Sequence, residues 1–169
     1  YIISDEIHND LIFEGPHTVL ANISTEMAEN CVICTAPSKS FNIAGIQASN
    51  IIISNDQMRE KFKAVIQKNH AYSPNSFVEA AVIGAYNHSE DWLDHAIDYI
   101  KDNVEDFCVE LSKRVPKIKA LKPEGTYLVW MDCSELGMTP EKLNRFFVEK
   151  CKLALNSGRG FGDDGALFQ

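Results

Sequence analysis

The strongest constraint on the fold is a stripe of large apolar residues, Leu93, Ile97, Ile100, Val104, Phe107 and Leu111, recurring at steps of 4, 3, 4, 3 and 4. This spacing keeps them on one side of an α-helical repeat. Residues 89–115 are therefore expected as one long amphipathic helix, stopped by Pro116, which cannot continue it. A helix of that length is unusual in a globular chain, and it divides this one. Before it, short apolar segments alternate with helical ones; beyond it come a strand and a short helix. The expected class is thus α/β up to the long helix and α+β after it.

In the first part, residues 1–4 read as a strand that runs into an acidic tip, Asp5-Glu6. Residues 30–35 and 50–53 read as further short buried strands, near-continuous in apolar residues as parallel sheets prefer. Ser54-Asn55-Asp56-Gln57 has the form of a capping box, opening a helix with Met58, Phe62, Val65, Ile66 and Asn69 on one face. Ser73-Pro74-Asn75-Ser76 breaks the chain, and Ser76 with Glu79 is expected to cap a helix of small residues through Tyr86. Beyond the long helix, Lys122-Pro123-Glu124-Gly125 marks a turn and residues 126–131 a strand. Thr139-Pro140 places an N-cap and an N1 proline before a helix expected to bury Leu143, Phe147 and Cys151.

Composition narrows the function. The 169 residues carry 16 basic and 24 acidic side chains, a net charge of -8. No basic stripe exists to neutralise phosphates, which argues against nucleic acid or an anionic membrane as partner. No apolar run approaches the ~20 residues of a membrane helix, and residues 1–6 lack the features of a signal peptide. Five cysteines, an odd count in no secreted-scaffold spacing, suit reduced thiols in a cytoplasm. Cys31-Val32-Ile33-Cys34 is formally a C-x-x-C, but no second pair completes a metal set and no metal is expected. The Asn22 and Asn87 sequons carry no meaning in that compartment. His17, His70, His88 and His95 have no nucleophile at a recognisable spacing and read as solvated or capping residues; Glu105-Asp106 sits on the polar face of the long helix. Gly160-Phe161-Gly162-Asp163-Asp164-Gly165 matches G-x-G-x-x-G literally, without the strand–turn–helix setting a dinucleotide site requires.

The chemically informative stretch is Thr35-Ala36-Pro37-Ser38-Lys39-Ser40-Phe41-Asn42-Ile43-Ala44-Gly45. From composition alone Lys39 is a surface lysine. Held among apolar neighbours, it would instead be an activated amine that forms a Schiff base, with a cofactor phosphate on the surrounding hydroxyls. Asp5 favours the second reading. A carboxylate ending an apolar strand suggests a cationic partner, and a protonated pyridine nitrogen is one.

Taken together, Ser-Asp-Glu-Ile-His-x-Asp-Leu, Ala-Pro-Ser-Lys-Ser-Phe-Asn-Ile-Ala-Gly, residues 123–132 and Gly160-Phe161-Gly162 resemble pyridoxal-phosphate enzymes of fold type I. Within the class I/II aminotransferases they are similar to the MalY/PatB-like cystathionine β-lyases (C–S lyases), over essentially the whole chain. The resemblance implies that Lys39 bonds the cofactor and shuttles the Cα proton, and that Asp5 pairs with the pyridine nitrogen. His8 falls where many aminotransferases place a Tyr against the ring oxygen, and Ser38 is a candidate phosphate contact. Two positions depart from the wider pattern: Ala36 stands where Ser is common, leaving Thr35 to compensate, and Gln47 stands where classical aminotransferases carry a phosphate-binding Arg. The second departure leans towards β-elimination. The implied activity is cleavage of a sulfur amino acid to pyruvate, ammonia and a thiol. The alternatives are an aminotransferase and, from another class, a non-catalytic fragment or dimerisation module. The resemblance further implies a homodimer. It assigns residues 1–90 to the C-terminal part of the large cofactor domain, and residues 91–169 to a connecting helix and a small α+β domain. The family's Gly-rich phosphate loop, ring-stacking aromatic and substrate-gripping Arg have no counterpart here, so the 169 residues alone are expected to bind cofactor weakly and turn over nothing.

Overall fold

The computed structural model describes residues 1–71, 73–162 and 165–169. It divides into two compact units, Tyr1–Asp98 and Tyr99–Gln169. In the first, strands β1 (Ile2–Asp5), β2 (Cys31–Thr35) and β3 (Asn50–Ile52) form a sheet in that order. β1 and β2 are parallel, with Ile2 opposite Cys31 and Asp5 opposite Cys34. Parallel neighbours need a long connection, here a folded loop and helix α1 (Thr25–Asn30), whose first turn is capped by the Ser24 hydroxyl accepting from the Met27 amide at 3.1 Å. β3 departs from the expected parallel, buried strand. It is antiparallel to β2, Ile33 facing Ile52, because the chain after β2 turns back through α2 (Pro37–Ser40) and a tight turn ending at Gln47 with φ 56°. Ile51 and Ile52 remain 37% and 52% exposed, so the described elements leave this strand uncovered. Cys31, Ile33, Ala36, Ile53 and Leu11 are the buried apolar residues around the sheet.

Helix α3 (Asp56–Lys68) starts as the sequence predicts, with a different cap. Asn55, not Ser54, accepts from the Met58 amide at 2.9 Å, while Arg59 donates to the Ile53 and Ser54 carbonyls at 2.7 and 3.1 Å. Met58, Phe62 and Ile66 are half-buried, whereas Val65 is exposed. Helix α4 (Val78–His88) has no side-chain cap from Ser76. Asn75 shapes its entry instead, accepting from the Phe77 amide at 3.0 Å and donating to the Ile46 carbonyl at 2.7 Å. The long helix α5 (Glu90–Arg114) has its 25 residues where the apolar stripe puts them. Glu90 and Asp91 open it and Lys113 and Arg114 close it, complementing the helix dipole. Val104 is buried, its stripe neighbours half-buried, and Phe107 at the margin 41% exposed. No helix among the described residues is long and apolar enough to cross a membrane.

In the second unit, β4 (Lys119–Leu121) pairs antiparallel with β5 (Trp130–Asp132). The strand expected over 126–131 begins only at Trp130. Thr126 lies in the left-handed region with φ 65°, which strand pairing does not accommodate. The C-terminal residues take the other side of β5: Met131 and Gln169 exchange backbone bonds of 3.0 and 3.1 Å, and the Cys133 amide donates to the Leu167 carbonyl at 3.1 Å. Trp130 stacks on Phe168 with ring centroids 5.3 Å apart. The glycine-rich stretch has a packing reason. The Gly158 amide donates to the Phe168 carbonyl at 3.0 Å, and the backbones of Gly158 and Gly165 approach so closely that neither position has room for a Cβ. Asp163 and Asp164 of the literal glycine motif lie outside the described residues.

Helix α6 (Pro140–Phe146) follows the local signals, with the Thr139 hydroxyl accepting from the Lys142 amide. Leu143 and Phe147 are buried but Cys151 is exposed. From Phe147 to Cys151 the helix widens into a π turn, ending at Lys152 with φ 59°. The extra residue per turn rotates Cys151 off the buried face. Ile118, Met131, Cys133, Leu143 and Phe147 form the core of this unit, flanked by Leu111, Val129, Leu136, Met138 and Leu155. Leu143 has no exposed surface, so Leu143→Ala is expected to lower stability by about 2–5 kcal/mol. Denaturant unfolding of the variant checks this, and a change within experimental error would show that Leu143 is not central to the core.

Candidate active site

The site is built where two parallel strands end side by side. β1 finishes at Asp5, whose pairing with Cys34 is closed by the Glu6 amide donating to the Cys34 carbonyl at 2.8 Å. The chain then winds through two tight turns, the Asn9 amide donating to the Glu6 carbonyl and the Leu11 amide to the His8 carbonyl, both at 3.0 Å. Leu11 plugs the unit's interior at 2% exposure and so anchors the turn that carries His8.

Glu6 fixes this turn from beneath. It is 5% exposed, and its carboxylate accepts from the Ser4 hydroxyl at 3.1 Å and the Leu20 amide at 3.0 Å, and meets His17 Nε2 at 3.0 Å. Burial alone would push its pKa up. The Leu20 amide, His17 and Ser4 outweigh that and hold Glu6 below the ordinary carboxylate value. His17 is therefore a structural partner and not the solvated histidine expected from sequence. His95 Nδ1 lies 2.6 Å from the Asp91 carbonyl, and His88 ends α4.

From β2 the chain enters α2 directly. Pro37 at the first helical position presets the backbone, and Ala36, Pro37 and Ser40 are buried while Ser38 is half-buried and Lys39 exposed. The expectation of a lysine held among apolar neighbours is corrected accordingly: the apolar residues support the turn, and the amine itself is open to solvent. Asp5 is also exposed, with Oδ1 accepting from the Ile7 amide at 3.3 Å. The structure nonetheless brings Asp5, His8 and Lys39 within electrostatic reach of one another. Burial lowers the His8 pKa from its ordinary 6.5, and the Lys39 ammonium lowers it further against an opposing pull from Asp5. Both effects favour the neutral imidazole, which can donate through one ring nitrogen and accept through the other.

The Thr35 hydroxyl faces Asn50, 3.4 Å from its side-chain nitrogen, and Gln47 is exposed in the left-handed turn. Cys31 and Cys34 sit three apart on β2, so their side chains leave opposite faces of the strand and cannot converge on one ion. Burial, with a contribution from Asp5, raises the Cys34 thiol pKa, which disfavours a reactive thiolate.

The chain belongs to the aminotransferase class I and II family, whose model matches residues 1–166. It is 41% identical over 168 residues to the cystathionine beta-lyase PatB of Bacillus subtilis, covering 99% of this chain and 43% of that protein. It is 30% identical to the MalY protein of Escherichia coli, covering 99% and 43%. The crystal structure of cystalysin from Treponema denticola, which contains pyridoxal 5'-phosphate, superimposes with a TM-score of 0.86 at 38% identity, over 98% of this chain and 42% of that one. The chain thus spans less than half the length of these relatives.

Glu6 sets a pH dependence. A carboxylate whose pKa is lowered on folding stabilises the fold fully above its unfolded value of 4.5 and loses that contribution as the pH falls through its lower folded value. Unfolding free energy measured against pH should fall in this acid range, and Glu6→Gln should flatten that part of the curve. An unchanged slope would contradict the assignment.

Proposed function

We propose that this chain carries the lysine-bearing part of a pyridoxal-phosphate-dependent C–S β-lyase of the cystathionine β-lyase type, which converts a sulfur amino acid to pyruvate, ammonia and a thiol. The observation that carries the reading is the grouping of Asp5, His8 and Lys39 at the ends of adjacent parallel strands, in a chain of this family. The donor set fits the cofactor. An exposed primary amine can bond an aldehyde, a carboxylate can pair with a protonated pyridine nitrogen, and a neutral imidazole can hydrogen-bond a ring oxygen.

When bound, the cofactor supplies an electron-accepting ring that takes up the pair left on the substrate's Cα. Lys39 holds the cofactor through Nζ and, once released, takes the Cα proton as general base. Asp5 keeps a positive charge opposite its carboxylate, His8 orients the ring edge, and the half-buried Ser38 is the phosphate contact proposed for α2. The pair left on Cα would then form the Cα–Cβ double bond as the Cβ–sulfur bond breaks and the thiolate leaves, and water would convert the remaining unsaturated amino acid to pyruvate and ammonia. Residues 1–90 act in this reading as the rest of the large cofactor domain, and residues 91–169 as the connecting helix and small domain. The full protein works as a cytoplasmic homodimer on amino-acid substrates.

The full-length protein to which these residues belong, incubated with cystathionine, should release pyruvate and a thiol with no keto acid added, and Lys39→Ala should lower turnover at least ~100-fold. A strict requirement for a keto acid would make the protein an aminotransferase instead.

A further inference from the structure

The Ser40 hydroxyl, 2% exposed and next to Lys39 in sequence, donates to Asp10 Oδ2 at 2.6 Å. Thirty residues separate the partners, and each belongs to a different half of the candidate site. Asp10 lies in the turn that follows β1 and carries His8; Ser40 ends the single helical turn that carries Lys39. A hydroxyl-to-carboxylate bond of this length is charge-assisted and among the stronger hydrogen bonds in a protein. Its burial on the Ser40 side shields it from competition by water.

The setting gives this contact an outsized part in placing Lys39. α2 is four residues long, has no side-chain N-cap, and is followed at once by Asn42 with φ 54°. A helix that short has no stability of its own. Its position comes from Pro37 and Ser40, the buried members of the turn, and from Phe41, whose ring packs edge-on against Tyr86 at 5.5 Å and stacks with Trp92 at 6.4 Å. Of these supports, the Ser40–Asp10 bond is the one directed at the strand-end turn that holds Asp5 and His8.

We propose that Asp10 and Ser40 are positioning residues. Their hydrogen bond latches the Lys39 turn to the Asp5–His8 turn and so sets where the amine stands when it meets the cofactor aldehyde. The inference rests on the proposed pyridoxal-phosphate reading. It predicts a loss of preorganisation in variants whose lysine, carboxylate and imidazole are all intact.

The test uses the cofactor-free full-length protein to which these residues belong, and reads the rate of pyridoxal-phosphate capture by absorbance and the visible circular dichroism of the bound cofactor. Ser40→Ala and Asp10→Ala should each slow capture about 10- to 100-fold and weaken the dichroic band. The double variant should be no slower than the worse single one, since both remove the same bond. Asp10→Asn keeps an acceptor oxygen on a half-buried residue and should fall between Asp10→Ala and the unaltered chain. It serves as the readout if Ser40→Ala does not fold. Lower melting temperatures with unchanged capture rate and dichroism would overturn the proposal, leaving the bond a purely structural one. Additive slowing in the double variant would overturn it as well. Failure of the unaltered chain to capture cofactor, or equal capture by Lys39→Ala, would instead overturn the proposed function on which the latch rests.

Discussion

A single backbone bond, from the Glu6 amide to the Cys34 carbonyl, closes the parallel pairing of β1 and β2 at Asp5 and Cys34. It fixes where β1 stops relative to β2, and hence how far the Asp5 carboxylate stands from the turn that follows β2. Strand ends can fray, and this one is stiffened by the side chain of the same residue. The Glu6 carboxylate collects the Leu20 amide, the Ser4 hydroxyl and His17, drawing the loop between β1 and α1 beneath the turn. A buried carboxylate with this many donors costs far less than an unpaired one. The cluster of Asp5, His8 and Lys39 depends on that anchor.

The cluster also shows how environment divides labour among charged groups in one place. Glu6 is buried, saturated with donors and acts as scaffold, whereas the neighbouring Asp5 is exposed and available. His8 is half-buried beside a cation, and burial first and the Lys39 charge second favour its neutral form. Cys34, directly opposite Asp5, is disfavoured as a thiolate by burial and by that same carboxylate.

Local signals were the legible part of the sequence. The long helix follows from a stripe whose spacing is intrinsic to it, and α6 from Thr139 and Pro140, whereas the helical turn that carries Lys39 is too short for any periodicity to announce. Contacts between distant residues were not legible. His17 reads as an isolated histidine because its partner is 11 residues away, and Ser40 reads only as one of the hydroxyls around Lys39 because Asp10 is 30 residues away. Backbone irregularities escaped for another reason. Periodicity assumes a uniform repeat, so the left-handed Thr126 and the π turn before Lys152 shifted the expected start of β5 and the expected burial of Cys151. The direction of β3 was hidden as well, since its apolar residues suit a parallel or an antiparallel neighbour equally.

Lys39 is proposed as the amine that bonds the cofactor, and borohydride reduction of the full-length protein with pyridoxal phosphate, followed by peptide mass mapping, reads that bond. The cofactor mass should be fixed on the peptide containing Lys39, at one cofactor per subunit. Labelling spread over other lysines, with Lys39 unmodified, would contradict it.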